Sequence, residues 1–450
     1  MQIRVDYLLS QMYLDMKIFK NVISFFFLFI FINHASGLVY NTVIPIGELR
    51  RAVSNANPGD TLYVKSGEYR DLKITLNYFG KDRIFIMPEK KGSVTFSGNS
   101  TVIFEKSGRI VFSGFKFNEI QNSSSVILYN SSEIEINQNS FFRCGRNPFH
   151  TIVRIHNGSS QNIISDNVFD GSLAMSVVIV LRDGENFDNT RNKIIRNTFK
   201  NIPAVSSVYK GQTNGLEAIQ LGQGEYSDIS LFTQISGNYF ENITGDGSEI
   251  ISSKSSNNII SGNFFINNNS GITLRSGDNV LVSNNYLERT SQGIRIFGSG
   301  HRIVNNYIVD SDIAIQIPST DIAFQAPSKA SGYHQQNNLE VKENYIISRG
   351  DRTAISVGDN RRKINPLNVS LKNNHIYIDE SARDFVIEKG ISLNDVALRG
   401  NISYRQSNSV SKPRSSRFRP RELKYVDNLK GSLPIPSPQK IISNRIFELR

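Results

Sequence analysis

Residues 259–310 read IISGNFFINNNSGITLRSGDNVLVSNNYLERTSQGIRIFGSGHRIVNNYIVD, and one short phrase returns in them three times: Asn263-Phe-Phe, Asn285-Tyr-Leu and Asn306-Tyr-Ile. The asparagines stand 22 and 21 residues apart. A short run of Ile, Val and Leu precedes each phrase, and Gly and Asn punctuate the runs. The same phrase opens at Asn139, Asn167, Asn197, Asn238, Asn344 and Asn374. Self-similarity at a period of 20–50 residues means a stacked architecture. The units are rich in β-branched and aromatic residues and show no long helical periodicity, so each is built of strands. The expected fold is therefore all-β: a single-domain right-handed parallel β-helix whose shortest spacings give the bare coil. Asparagine recurring at one turn suits a left-handed conformation and side-chain ladders between coils.

The longest spacings, 41 residues from Asn197 to Asn238 and 38 from Asn306 to Asn344, mark coils with inserted loops. Upstream, residues 43–60 read as a short N-terminal capping helix, followed by a turn at Asn57-Pro-Gly-Asp and the first strand at Thr61. A cap protects the open edge of the first coil.

The ends differ from the repeat. Lys17 and Lys20 precede an apolar run from Val22 to Ile32 and a small-residue exit at Ala35-Ser-Gly37, the pattern of a signal peptide over residues 1–37. The run is shorter than the roughly 20 residues of a membrane span. A secreted or periplasmic protein with no membrane span after processing is expected. Residues 38–408 carry the β-helix, and 409–450 form a basic tail rich in Ser and Pro.

The net charge is +11, and residues 410–450 alone hold ten Lys/Arg against three Asp/Glu. A basic protein suits a polyanionic partner. Export and the lack of any recognition-module motif argue against nucleic acid. Cys144 is the only cysteine, which excludes disulfide frameworks and thiolate metal clusters and makes it a small core residue.

Stacking turns sequence separation into proximity. Lys254 and Arg275 are 21 residues apart; Thr273, Arg295 and Gln316 are separated by 22 and 21. One coil apart, such residues share a sheet face. Lys254, Arg275, Arg295 and Gln316 should form a polar, mostly cationic patch, walled by the two inserts. Stacked like charges repel unless an anion offsets them, so the patch points to a bound polyanion. A solvated basic face is the bland alternative.

The segments Asn214-Gly-Leu-Glu-Ala-Ile-Gln-Leu-Gly, Glu249-Ile-Ile-Ser-Ser-Lys254-Ser, Gly271-Ile-Thr-Leu-Arg275-Ser-Gly and Gly293-Ile-Arg295-Ile-Phe-Gly-Ser-Gly-His301 follow in one order at coil spacing. Together they resemble polysaccharide lyase family 6, the alginate lyases and chondroitinase B. Asn57-Pro-Gly-Asp-Thr and Gly67-Glu-Tyr resemble its start, and the likeness covers roughly residues 45–400. The resemblance implies β-elimination on an acidic polysaccharide, with Lys254 as base, Arg275 as acid, and Arg295, His301, Gln220 and Gln316 as substrate contacts. It also implies calcium held by an Asn and two Glu. Asn214 and Glu249 match two of these ligands, whereas the third position is Gly247, which has no side chain to coordinate. Glu217 or Asp246 would have to substitute. Ser276 stands where the family often has His after the catalytic Arg.

Two rivals follow from the residues. A hydrolase needs paired carboxylates, and no Asp pair occurs at coil spacing. A non-catalytic glycan-binding or adhesin-type β-helix would keep the repeat and the basic face without needing Lys254.

Overall fold

Ten asparagines form one unbroken ladder through the interior. The backbone N–H groups of Phe115, Asn139, Asn167, Asn197, Asn238, Asn263, Asn285, Asn306, Asn344 and Asn374 each donate to the side-chain Oδ1 one coil further on, at 2.9–3.1 Å, ending on Asn401. From Asn139 onward the Nδ2 groups repeat the link at 2.8–3.2 Å. Buried amides are thus fully paired at the bend where every coil turns. The ladder was expected; the conformation was not. None of these asparagines has a positive φ. The left-handed residue is the one before: Gln138, Asp166, Arg196, Gly237, Gly262, Asn284, Asn305, Glu343, Asn373 and Gly400. The ladder fixes the asparagine, and the strained turn beside it accepts several residue types.

The computed structural model describes residues 42–156, 158–181, 188–325, 332–359, 361–405 and 424–427. The expected signal peptide lies outside them, as does most of the basic tail. The chain winds into a parallel β-helix with three sheets of 14, 12 and 14 strands, each coil adding one strand to each sheet. Every named strand pair is parallel, for example Ile251–Ser253 with Ile272–Leu274 and Ile272–Leu274 with Gln292–Ile296. The interior is apolar and continuous. Phe117, Phe141, Phe169, Phe199, Phe240 and Phe265 stack face to face at 4.5–5.0 Å. Each such ring contributes buried area plus offset-stacking energy. Cys144 is fully buried, and burial pushes its thiol up to about 12.

The cap is smaller than expected. Thr42–Ile44 is a strand paired with Thr61–Val64, because a β-branched run followed by Pro45 suits an edge strand. The helix is Leu49–Ser54, preceded by a 3-10 turn, and it buries Leu49 and Val53 over the first coil. At the other end Lys424–Asp427 pairs with Ile402–Arg405, so the sheet continues past residue 408. No helix among the described residues is long and apolar enough to cross a membrane.

Candidate active site

The 12-stranded sheet carries the site on its outer face. Its register aligns one outward row as Ile127, Arg154, Val178, Gln220, Ser252, Thr273, Arg295 and Gln316. Two residues further along each strand lies a second row. There Lys254 donates its N–H to Leu221 O at 2.8 Å, Arg275 to Ser253 O at 2.8 Å and Phe297 to Leu274 O at 2.7 Å. Lys254, Arg275 and Phe297 therefore follow one another on successive coils, about 4.8 Å apart. The expected patch divides between these two rows: Lys254 and Arg275 share one, Arg295 and Gln316 the other.

Neighbours hold each member. Lys254 donates from Nζ to Gln220 Oε1 at 2.8 Å and lies 3.9 Å from Glu217 Oε1. Gln220 is itself pinned through Nε2 to Gly222 O at 3.1 Å. Gln220, expected as a substrate contact, thus orients the lysine. Arg275 donates from Nη1 to Glu249 Oε1 at 3.3 Å, and Ser252 donates a short hydrogen bond to Glu249 Oε2. Asp246 Oδ1 accepts from the N–H groups of Ser248 (2.7 Å) and Glu249 (2.8 Å), a turn that sets Glu249 in place.

Glu217, Asp246 and Glu249 bring ligand oxygens within 4.8 Å of one another. Among the described residues, these three carboxylates meet two cations, Lys254 and Arg275. Burial pushes Glu217 up to about 7, opposed by Lys254 and reinforced by Glu249 and Asp246. Burial and the Glu249 charge likewise raise Asp246, against the two N–H donors. Burial alone would lower Arg275; Glu249 and the other acidic groups around it outweigh burial and hold it above its ordinary value. Glu217 is 2% exposed, and its Oε2 has no hydrogen-bond partner. A buried orphan oxygen in an acidic trio fits a cation, or a proton on Glu217. Of the expected pair, Glu249 belongs to this trio, and Asn214 is exposed and lines the same cavity as Glu217. Gly247 has no side chain to offer, and its neighbour Asp246 brings a carboxylate to the trio.

Both long inserts border the site. The first supplies Asn214, Glu217 and Gln223 to a cavity of about 290 Å³ that also touches Lys254 and Gln220. The second supplies Tyr333. Its ring lies 5.1 Å from the Arg275 guanidinium, 5.1 Å from Arg295 and 4.5 Å from Arg362. Arg295 also covers Phe297 at 4.9 Å. Stacking on aromatic faces holds the guanidinium groups in place; Arg275 is also paired with Glu249, and Arg362 with Asp321 and Asp359. Tyr333 and Arg362 were missed from sequence because neither falls at coil spacing from the motifs.

His301 is corrected. It is fully buried, and both ring nitrogens meet backbone groups. Its Nδ1 accepts from Val280 N at 3.0 Å, and its Nε2 sits 2.8 Å from Phe297 O. In the neighbouring coils Asn162, Asn192 and Asn258 fill the same inter-coil role, accepting from Ile134, Asn162 and Thr233. His301 is a rung of this second ladder, and burial drives its pKa down to about 4. Gln316 stays on the outer face beside Arg295, 7% exposed.

Among solved structures, a family 6 polysaccharide lyase from Pseudopedobacter saltans aligns with a TM-score of 0.63 at 22% identity, over 81% of this chain and 92% of its own. A mannuronic acid specific family 6 lyase from human gut microbiota aligns with 0.68 at 18%, over 91% and 94%. A third, the family 6 alginate lyase AlyGC, gives 0.70 at 19% over 86% of this chain, which spans about half of it (53%). At these identities the likeness is one of fold. No curated protein sequence matches. The family model described as Chondroitinase B matches residues 43–433, nearly the whole described β-helix with its lysine–arginine pair, and on that match the chain belongs to the chondroitinase B family and is a polysaccharide lyase.

Proposed function

We propose that this lyase cleaves a uronate-containing polyanionic glycan by β-elimination, with alginate the first candidate and chondroitin or dermatan sulfate next, outside the cytoplasm as a secreted or periplasmic enzyme. The observation that carries the reading is the pairing of Lys254 with Arg275 on adjacent coils of one outer face, each held by its own neighbour. Elimination removes the proton at C5, alpha to the carboxylate, and expels the oxygen at C4. Lys254 as the free amine takes that proton. Charge then builds on the carboxyl group, and preplaced donors must stabilise it. Arg275 and Arg295, both stacked on the Tyr333 ring, are fixed cations on the same face. As the C5–H electron pair forms the C4=C5 double bond and the C4–O bond breaks, Arg275 acts as the acid that passes a proton to the leaving oxygen, its guanidinium 5.1 Å from the Tyr333 ring.

Glu217, Asp246 and Glu249 would hold a divalent cation such as calcium, which would supply Lewis-acid neutralisation of the substrate carboxylate. A second reading has its own support: Glu217 titrates near neutrality, so its protonated form can donate a hydrogen bond to that carboxylate. The similar structures are described as alginate or mannuronic acid lyases, which supports alginate; the family is described as chondroitinase B, which supports chondroitin. Incubating the purified chain with each glycan and following ultraviolet absorbance tests the proposal. Unsaturated ends should accumulate with at least one polyuronide. Tight binding with no new absorbance on any of them would favour the adhesin-type alternative.

A further inference from the structure

Among the described residues, Lys254 and Arg275 are the last accessible positions on their row. Their side chains are 13% and 28% exposed. The next three coils place Phe297, Pro318 and Gly358 there: Phe297 N donates to Leu274 O at 2.7 Å, Arg295 pairs with Gln316, and Gly358 N donates to Ile317 O at 2.7 Å. All three are buried. Phe297 is 0% exposed, yet it is no part of the interior core to which Ile294 and Ile296 belong. It packs instead against the Tyr333 ring at 4.4 Å and the guanidinium groups of Arg295 and Arg362 at 4.9 and 5.9 Å. The row passes from open to roofed within one coil of the catalytic pair.

The roof is fastened on several sides. Tyr333 O accepts from Ile322 N at 3.3 Å, and Gln335 N donates to Ile322 O at 2.8 Å. His334 O accepts from Gly298 N at 2.9 Å, which ties the insert to the Phe297 coil itself. From the following coil Ile364 exchanges backbone hydrogen bonds with Thr320 at 2.8 and 3.2 Å, and Arg362 donates from Nε to Asp321 at 2.8 Å. Gly332 permits the close approach, since a Cβ there would lie 2.7 Å from Ile322 Cδ1. In the other direction the cavity of about 290 Å³ leads from Lys254 to the exposed Asn214 and Phe149.

This asymmetry decides which part of a glycan fits. Lys254 takes the C5 proton, and Arg275, one coil nearer the roof, passes a proton to the oxygen leaving C4. The sugar that keeps this oxygen, as its new C1 hydroxyl, therefore lies between Arg275 and the roof. A sugar unit is about as long as one coil rise, about 4.8 Å, so the space takes one sugar, two at most.

We infer that the enzyme is exolytic, with Tyr333 as the wall that makes it so: it takes the glycan by the non-reducing end, seats one or two sugars against the roof and releases them, while the rest of the chain leaves past Asn214 and Phe149. The inference rests on the lyase reading above. After the first cut, each released piece carries the C4=C5 double bond left by the cut before it.

The test uses the full chain with decamers of the glycan that wild type cleaves, tagged at the reducing end with a fluorescent amine. Early in the reaction the tag should sit on chains shortened by one or two sugars, with untagged mono- or disaccharides beside them. Tagged fragments of every length from the start, or a tagged monosaccharide appearing first, overturn the inference. Tyr333→Phe keeps the ring and should keep this pattern. Tyr333→Ala should release longer pieces, and an unchanged pattern in a variant that melts like wild type would show that Tyr333 is not the wall. Binding separates end capture from the chemistry. Lys254→Met titrated with long polyuronides should bind one copy per chain at any chain length, because each chain has one non-reducing end. Copies that multiply with length, or no binding to any polyuronide, refute end capture. If wild type cleaved nothing while one copy still bound per chain, the lyase reading would fall and end capture would stand.

Discussion

Replacing Lys254 by methionine separates chemistry from architecture. Lys254 is 13% exposed at its side chain, and its amine makes one hydrogen bond, to Gln220, and one loose ion pair, to Glu217. Methionine fills most of the volume and keeps the apolar stem. The cost to folding is small, because Glu217 already titrates near 7 and can take a proton when its cation is removed. The cost to catalysis is large. A positioned base contributes about 10²–10⁴-fold, so turnover should fall by about 10³-fold, roughly 4 kcal/mol of barrier. The assay is the rate of ultraviolet absorbance from unsaturated ends, with calorimetry as the control for fold. Rescue sharpens it. In Lys254→Cys the new thiol is the accessible one, because the Cys144 thiol is buried and pushed up to about 12. Alkylation with bromoethylamine should rebuild an amine at position 254 and restore much of the rate. Turnover of a well-folded Lys254→Met within tenfold of wild type would refute the base assignment.

Other outcomes follow from features already described. Asn238→Ala leaves the buried Asn197 N without its partner and removes one bond each from Asn197 Nδ2, Ile194 O and Asn263 Oδ1. At about 1–3 kcal/mol for the orphaned donor and about 0.5–1 kcal/mol for each further bond lost, stability should drop by roughly 2–5 kcal/mol, read as a lower melting temperature. His301, held down to about 4, stays neutral when folded but takes up a proton near pH 6.5 when unfolded. The unfolded state binds the extra proton between those values, so this contribution is intact above pH 6.5 and lost as pH falls toward 4. It amounts to roughly 3 kcal/mol; His301→Asn should flatten that part of the melting-temperature profile, and an unchanged profile would refute the assignment. Calcium titrated into the full chain should raise the melting temperature, by about 2.7 kcal/mol of stabilisation at a hundredfold excess over Kd. Glu217→Gln with Asp246→Asn should abolish the rise, whereas a rise that survives would place the cation elsewhere.

Much of the fold is legible in one residue type at one spacing. The Asn-x-apolar phrase marks the same bend in every coil, because a buried amide there must be met by the next one. The left-handed turn is less legible, since the residue before each asparagine can be Arg196, Glu343 or Gly262. Lys254 and Arg275 could be placed on neighbouring coils from spacing alone, because register carries through short coils. Tyr333 and Arg362 could not, because inserts break the count and an aromatic ring reaching over three guanidiniums leaves no local pattern. His301 misled for a similar reason: beside a catalytic motif it looks like a ligand-facing group, and only the coil stacked on it reveals that it fills an asparagine's place. Glu217 lies inside the Asn214-Gly-Leu-Glu segment, but only the fold reveals that it is buried next to Asp246 and Glu249.

The asparagine ladder has a sense of direction. Every rung takes its hydrogen-bond donors from the coil before and hands its own on to the coil after, so the amide dipoles align along the molecule like tiles laid one way. Aligned amides polarise one another and tighten together. A coil added or lost at either end meets the same socket it would meet in the middle. Cleft length can therefore change by whole coils while the distance between lysine and arginine stays where one strand spacing sets it, and a lyase of this build can become longer or shorter in reach without its chemistry being disturbed.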